Sequence, residues 1–245
     1  MNGKEMDMKR KMALCFLALC LIGILGFSGA HASTLTFYSG IDVLMNSGGG
    51  PDTGQPWLSA GQNLNINKPL GIQYDSLLKF NDLFGDNPGQ IPEGSTITSA
   101  SLHLYLYYDF AGYERTLYQM TENWNESTRW NTLPGGGGIV PGVNTEASPV
   151  STWISGAYPQ WLDLDVTGSV QGWFGGEDQY GWGIWGERAG IFSVAYINSF
   201  QNAENRPWLE IDYQSPQPSA VPEPGTMLLL LVGIGGLAMT GRRLH

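Results

Sequence analysis

Cysteine is nearly missing: the 245 residues hold two, Cys15 and Cys20, both in one N-terminal apolar run. Leu14 and Leu19 precede them, not the small residue that a lipoprotein signal needs. The remainder of the chain therefore has no disulfide, thiolate nucleophile or cysteine zinc site. Histidine is also scarce, at three; His31 lies near the N-terminal run and His245 is the last residue, leaving His103 in the body. A multi-histidine metal centre is excluded, and a His-dependent triad has a single candidate. Positive charge is the third shortage: against 22 acidic residues there are 12 Lys and Arg, four of them before Met12. Between residues 33 and 220 the chain keeps Lys68, Lys79, Arg115, Arg129, Arg188 and Arg206. With a formal net charge of -10, such a surface repels nucleic-acid backbones and, without a bridging cation, polyanionic glycans. Heptads, internal repeats and long amphipathic helices are absent as well from residues 34–120.

What is present is strand text. Residues 91–108 open on a turn, Pro92-Glu93-Gly94, and then alternate strictly. Ala100, Leu102, Leu104 and Leu106 fall on one face, and Ser101, His103, Tyr105 and Tyr107 on the other. Period-two alternation of that length predicts a β-strand with one face on a core, and its leucine row needs a second layer to cover it. Shorter strands are predicted at 34–45, 57–61, 76–80, 115–120, 161–166, 181–185, 191–197 and 208–213, punctuated by loops rich in Gly and Pro. One helix is expected after Thr167, where Val166, Val170, Trp173 and Phe174 share a face and Thr167 stands at the cap. Four glycines, Gly135 to Gly138, lie in a long surface loop; no Lys-Ser/Thr follows, so they are not a phosphate cradle. This is the pattern of an all-β sandwich or jelly roll.

The ends carry address signals. Residues 1–11 are polar with Lys9, Arg10 and Lys11; 12–27 are apolar; Ala30 and Ala32 are the small residues that a signal peptidase reads. A secretory leader cut after Ala32 is expected. A Pro/Ser linker at 214–220 leads to Val221-Pro222-Glu223-Pro224-Gly225, an apolar run to Thr240, and Arg242-Arg243. That run reaches about the 17-residue lower limit for a membrane-spanning helix, and the arginines beyond it would stay cytoplasmic.

In the order of its triplet, apolar run and basic end, the tail resembles a PEP-CTERM sorting signal. The resemblance implies an exosortase as processing partner, transient anchorage in the inner membrane of a Gram-negative exporter of exopolysaccharide, and release to the cell surface or extracellular matrix. The body, 33–213, resembles the DNRLRE domain, a jelly roll related to carbohydrate-binding modules. The residues that carry it are Asp42-Val43, Thr53-Gly54, Leu58 and Leu77-Leu78-Lys79-Phe80. They continue with Ile91-Pro92-Glu93-Gly94, Ala100-Ser101-Leu102-His103-Leu104, Trp124, Glu126 and Trp130-Asn131. The last are Asp165-Val166-Thr167, Val170-Gln171, Trp173, Tyr180-Gly181 and Arg206-Pro207. The chain departs from that pattern in an insertion, 84–89, and in Ile197-Asn198-Ser199 where Ser-Arg-Glu is usual. The resemblance implies glycan association without specifying it; together with a body so poor in His and Cys, it leads to the expectation of a non-catalytic glycan-associating protein.

Candidate ligand groups follow. Trp57, Trp153, Trp182 and Trp185, with Trp161 beside them, are candidate rings for sugar stacking, although most tryptophans of a sandwich are core. Asp42, Asp52 and Asp75 are candidate Ca²⁺ ligands collected from separate segments. The rival class is a glycan hydrolase or lyase. Asp163 and Asp165 share a strand face about 6–7 Å apart, within the range of a glycosidase pair, and Glu122 and Glu126 flank Trp124. Against this, Asp165 stands where a carboxylate caps a helix start, and Glu126 matches a structural pairing position of the resembled family. A structural envelope protein without ligand is the third class.

Overall fold

The computed structural model describes residues 32–49, 55–65, 68–110, 112–154, 158–188 and 193–216. The leader up to Ala30, Asp52 and the tail with Val221, Pro222, Glu223, Pro224, Arg242 and Arg243 lie outside the described residues. The body, His31–Pro216, is one compact unit. Its strands are β1 (Ala32–Phe37), β2 (Gly40–Asn46), β3 (Trp57–Asn65), β4 (Lys68–Phe80), β5 (Thr96–Asp109), β6 (Glu114–Gln119), β7 (Ser151–Ile154), β8 (Gln160–Asp165), β9 (Trp182–Gly186), β10 (Ala195–Asn198) and β11 (Trp208–Gln214). A single described helix, α1 (Thr167–Phe174), lies between β8 and β9.

Two layers form an all-β sandwich. In the first, sheet A, β5 pairs antiparallel with β11, β8 and β10, and β1 extends the sheet beyond β11. In sheet B, β4 pairs with β2, β3 and β9, and β6 joins β9 to β7. β3 belongs to both: Trp57 to Ala60 pair with β10 and the following residues with β4. The crossing occurs at Gly61, whose φ is +118° and where a Cβ would sit 1.9 Å from the Ser193 carbonyl oxygen. Any other residue would be strained and obstructed there.

The core follows the alternation. Leu102, Leu104 and Leu106 are fully buried, in one cluster with Leu78, Ile184 and Trp182 of the other layer. Removing each leucine side chain from water contributes about 1.5–3 kcal/mol. α1 closes one end of this core with Val170 and Trp173, and Gln171 Nε2 donates to the Ile97 carbonyl at 3.0 Å. Its N-cap is Val166, not Thr167; Thr167 Oγ1 instead accepts the Ala100 N–H at 2.9 Å, and Asp165 accepts the Thr167 N–H at 2.9 Å. The carboxylate reading of Asp165 is thus the observed one. A second cluster, Val43, Met45, Leu77, Met120, Trp124, Trp130, Leu133 and Ile139, covers the far face of sheet B beneath the 121–150 loop. The segment expected as one strand at 34–45 is broken at Tyr38-Ser39, because β1 joins sheet A and β2 joins sheet B. Gln214, expected to open the linker, instead closes β11 opposite Ala32, which opens β1. β7, a four-residue edge strand, escaped the sequence reading.

Candidate functional site

Because the far face of sheet B is covered by its loop, the open surface is the outer face of sheet A. Strand register lays its side chains in rows. Leu209 opposes Phe37 and Trp208 opposes His103, which in turn opposes Asp163, so Tyr38, Trp208, His103 and Asp163 form one row across four chain segments. The next row is Thr36, Glu210, Ser101 and Asp165. Beyond it Thr34 and Ser99 both donate to the Asp212 carboxylate, Ser99 Oγ at 2.8 Å. These donors hold Asp212 below the usual carboxylate range, as the Thr167 hydroxyl and N–H do for Asp165. On the other side of the His103 row stand Tyr105 and Trp161, then Tyr107 and Tyr196. The face therefore has a polar half of Ser, Thr and carboxylates and an aromatic half.

The aromatic half is built of cross-strand contacts. His103 and Trp208 stack at 3.5 Å with planes 5° apart, and Tyr38 flanks Trp208 at 6.3 Å. Tyr105 meets Trp161 edge-on at 5.2 Å, and Tyr107 lies 5.8 Å from Tyr196. Ring pairs of this kind are worth about 0.5–1.5 kcal/mol beyond area burial, so the rings are held in place before any ligand arrives. Tyr38 (55 %), Trp161 (41 %), Tyr107 (39 %) and Tyr158 (45 %) are among the most exposed large apolar side chains of the described residues. At the centre, His103 Nδ1 donates to Asp163 Oδ1 at 2.6 Å, while Asp163 remains 70 % exposed.

The tryptophans singled out in the sequence fare differently. Trp182 is fully buried, packed on Trp173 with Nε1 donating to Ser169 Oγ at 3.2 Å; it is a core residue with no ring face for a sugar. Trp153 is half-buried against the main core and Trp185 against the second cluster, so they face opposite sides of sheet B. Trp57 is half-buried on β3, opposite Asn198. These four do not converge. Trp208, Tyr38, Tyr105 and Tyr107 were not singled out as ligand groups, yet with Trp161 they do. The outward phase of Tyr105 and Tyr107 in the alternation was the signal that could have found them.

The carboxylates expected to hold Ca²⁺ also separate. Asp42 opposes Leu78 and Asp75 opposes Met45, an odd offset that puts the two on opposite faces of sheet B. Asp42 Oδ2 accepts the Phe200 N–H at 2.7 Å, and Asp75 Oδ2 takes the Ile139 N–H and Arg188 Nη2, both at 2.8 Å. Burial pushes each of them up to about 6. Both serve protein donors, and the described residues hold no group of three or more His, Cys, Asp or Glu suited to a metal ion. Of the enzyme candidates, Glu122 and Glu126 are exposed around a buried Trp124, and Asp163 pairs with His103 through Oδ1.

A polar cleft of about 330 Å³ lies between Asn46–Gly49 and Arg129–Asn131. Its ring, Trp130, is buried under Arg188, 5.0 Å from the ring centroid, and offers no stacking face.

The model of carbohydrate-binding module family 96 matches residues 59–213, and that of the PEP-CTERM protein-sorting motif matches 220–243. The match gives the jelly-roll resemblance a carbohydrate-binding family name and includes β5, β8 and β11. Curated relatives include the tRNA nuclease WapA of Bacillus subtilis and the tRNA(Glu)-specific nuclease WapA of Bacillus subtilis subsp. natto, each 27% identical over 154 residues. The tRNA3(Ser)-specific nuclease WapA of Bacillus spizizenii aligns to the same extent. The aligned segment is 61% of this chain but 6% of each relative.

Proposed function

We propose, from the premise that the chain belongs to carbohydrate-binding module family 96, that it is a non-catalytic glycan-binding protein whose ligand lies along the aromatic half of sheet A. The observation that carries this reading is the set of exposed, mutually braced rings on one open sheet face: Tyr38, Trp161 and Tyr107 with Trp208, Tyr105 and Tyr196 between them. A pyranose stacks its C–H face on such rings, and its hydroxyls donate to the carboxylates that border them. Bracing keeps the ordering cost of binding low.

The sorting motif implies export through a membrane-anchored tail that an exosortase processes. In the proposed arrangement the leader ends near Ala32 and the processed body stays at the cell surface or in the matrix, associated with exopolysaccharide. Ca²⁺ enters as a bridge between exposed carboxylates and an acidic glycan, not through Asp42 and Asp75. Nuclease activity is not carried over from the relatives, because the shared segment is a small part of them and β1, β5, β8, β10 and β11 contain no Lys or Arg to meet a phosphate backbone.

The test is a glycan screen of the His31–Pro216 unit read by tryptophan fluorescence, with a reducing-end assay in parallel. Trp161→Ala should weaken binding at least about tenfold, while Trp185→Ala should leave it unchanged. New reducing ends that disappear in Asp163→Asn or Glu126→Gln would overturn the binding reading in favour of the hydrolase.

A further inference from the structure

We infer that β1 is an interaction surface for a second copy of this chain: two β1 strands pair antiparallel, edge to edge, about a two-fold axis at Leu35, and join two sheets A into one. The inference is independent of the glycan-binding reading above.

Among the described residues β1, β2, β7 and β8 each pair with one neighbouring strand, and three of these four edges are guarded. β2 is covered: Asp42 to Met45 are buried, and the Asp42 carboxylate accepts the Phe200 N–H. β7 has four residues, and β8 carries Asp163 and Asp165 behind Pro159. A cover, a short length, charge and proline are the devices that keep sheet edges from pairing. β1 has none of them. Its six residues, with Tyr38 and Ser39 after them, hold no charge, proline or glycine, and its register with β11 runs without a bulge. Its outward amides and carbonyls have no partner among the described residues. Leu35 ends the inner row of sheet A half-buried, packed on the core from one side.

The strand fits its own copy. Opposed side chains of an antiparallel pair point to one face, so two inner rows stay together only in registers that oppose residues of like parity. With Leu35 on the axis, each Leu35 covers the open side of the other, and exposed Thr34 opposes Thr36 of the second copy. Thr34 Oγ1 donates to Asp212 and keeps a lone pair for the opposing Thr36 hydroxyl. Aliphatic and Thr–Thr pairs across strands both stabilise a sheet. Charge is kept back from the seam: Glu210 and Asp212 stand one strand inward on β11, opposite Thr36 and Thr34. From copy to copy they are three strand spacings apart, about 14 Å, beyond the ~8 Å screening length at physiological salt. Main-chain hydrogen bonds supply the affinity, and the narrow contact makes the pairing reversible.

The experiment uses the full chain in excess detergent micelles, with Cys15 and Cys20 replaced by serine so that introduced cysteines are the only thiols. In the inferred register Thr34 and Thr36 of two copies are directly opposed, with Cα atoms about 4.5–5.5 Å apart and within reach of a disulfide. Two Thr34 positions, or two Thr36 positions, stand diagonally at roughly 7–8 Å and are out of reach. Mild oxidation of a mixture of Thr34→Cys and Thr36→Cys chains should therefore yield cross-linked dimer at least about tenfold faster than either variant alone. Sedimentation gives the dissociation constant. The double replacement Thr34→Lys with Thr36→Lys, which opposes like charges across the seam, should raise it at least about tenfold without lowering the melting temperature. Added salt should tighten the wild-type dimer, because both copies are acidic. Equal cross-linking by the mixture and by a single variant overturns the inference, as does a lysine variant that pairs as tightly as the wild type. If the lysine variant fails to fold, the cysteine mixture still decides. A wild type that stays monomeric, or a β1 cysteine that captures another host protein in place of a second copy, overturns it as well.

Discussion

Replacing Asp42 by asparagine isolates the effect of burying one carboxyl under the loop that leads into Trp208. Asp42 is 5 % exposed on β2, and its Oδ2 accepts the Phe200 N–H at 2.7 Å, tying the start of the β10–β11 connection to sheet B. Burial, aided by the charge of Glu126, raises it from its ordinary 3.8 to about 6. Below pH 4 the group is protonated in both the folded and unfolded chains. Between pH 4 and 6 the unfolded chain gives up its proton while the folded chain still holds it, so stability falls as pH rises through this window. The rise from 3.8 to about 6, at 1.36 kcal/mol per pH unit, corresponds to about 3 kcal/mol. An asparagine at this position would keep an acceptor for the Phe200 N–H and carry no charge. Relative to Asp42→Asn, the wild type should therefore lose about 3 kcal/mol between pH 3.5 and 7. Urea unfolding of the His31–Pro216 unit followed by tryptophan emission at pH 3.5, 5 and 7 measures this difference. The difference cancels groups common to both proteins, including Asp165 and Asp212, which act in the opposite sense. A wild type that gains on the variant as pH rises would refute the reasoning, because Asp42 would then be a carboxylate stabilised by folding.

Leu102→Asp should abolish folding, since it places an unpaired charge in the fully buried row of β5. Tyr105→Ser, on the half-buried outer face, should cost about 1 kcal/mol, chiefly its contact with Trp161; equal losses in thermal melts would show both faces to be sealed. Arg115→Met should destabilise by about 3–5 kcal/mol, because it takes the cation from Asp109, paired with Arg115 at 2.6 Å with both side chains almost wholly buried. The partner replacement Asp109→Leu in the same chain should recover much of that loss in a double-mutant cycle. Neutral-glycan affinity should change little between about 50 and 500 mM salt, since ring stacking involves no ion pair; a steep salt dependence by calorimetry would place the ligand on a charged site instead. Intact mass of the protein from its host should show a chain beginning near Ser33 and lacking Arg242 and Arg243; retention of both arginines beside an active exosortase would contradict the processing.

What the amino-acid sequence decided alone is whatever depends on local order. Alternation placed Leu102, Leu104 and Leu106 inside and His103, Tyr105 and Tyr107 outside, because successive strand side chains point to opposite faces whatever the partner. The helix after Thr167 and the capping role of Asp165 were legible for the same reason, being settled within a few residues. The sorting tail is likewise a linear signal, and its match spans 220–243. The tertiary structure decided which strands become neighbours, and the site depends on that. Tyr38, Trp208, His103 and Asp163 are scattered from residue 38 to 208 and meet only because β1, β11, β5 and β8 pair in one register. Trp182 and Trp161 look alike in sequence, each near the start of a short strand, yet one faces the core between the sheets and the other faces water. Asp42 and Asp75, similar as acidic residues within strands, were divided by an odd register offset between β2 and β4. Register is a property of paired chains, so a residue's row, unlike its face, cannot be read from one strand at a time.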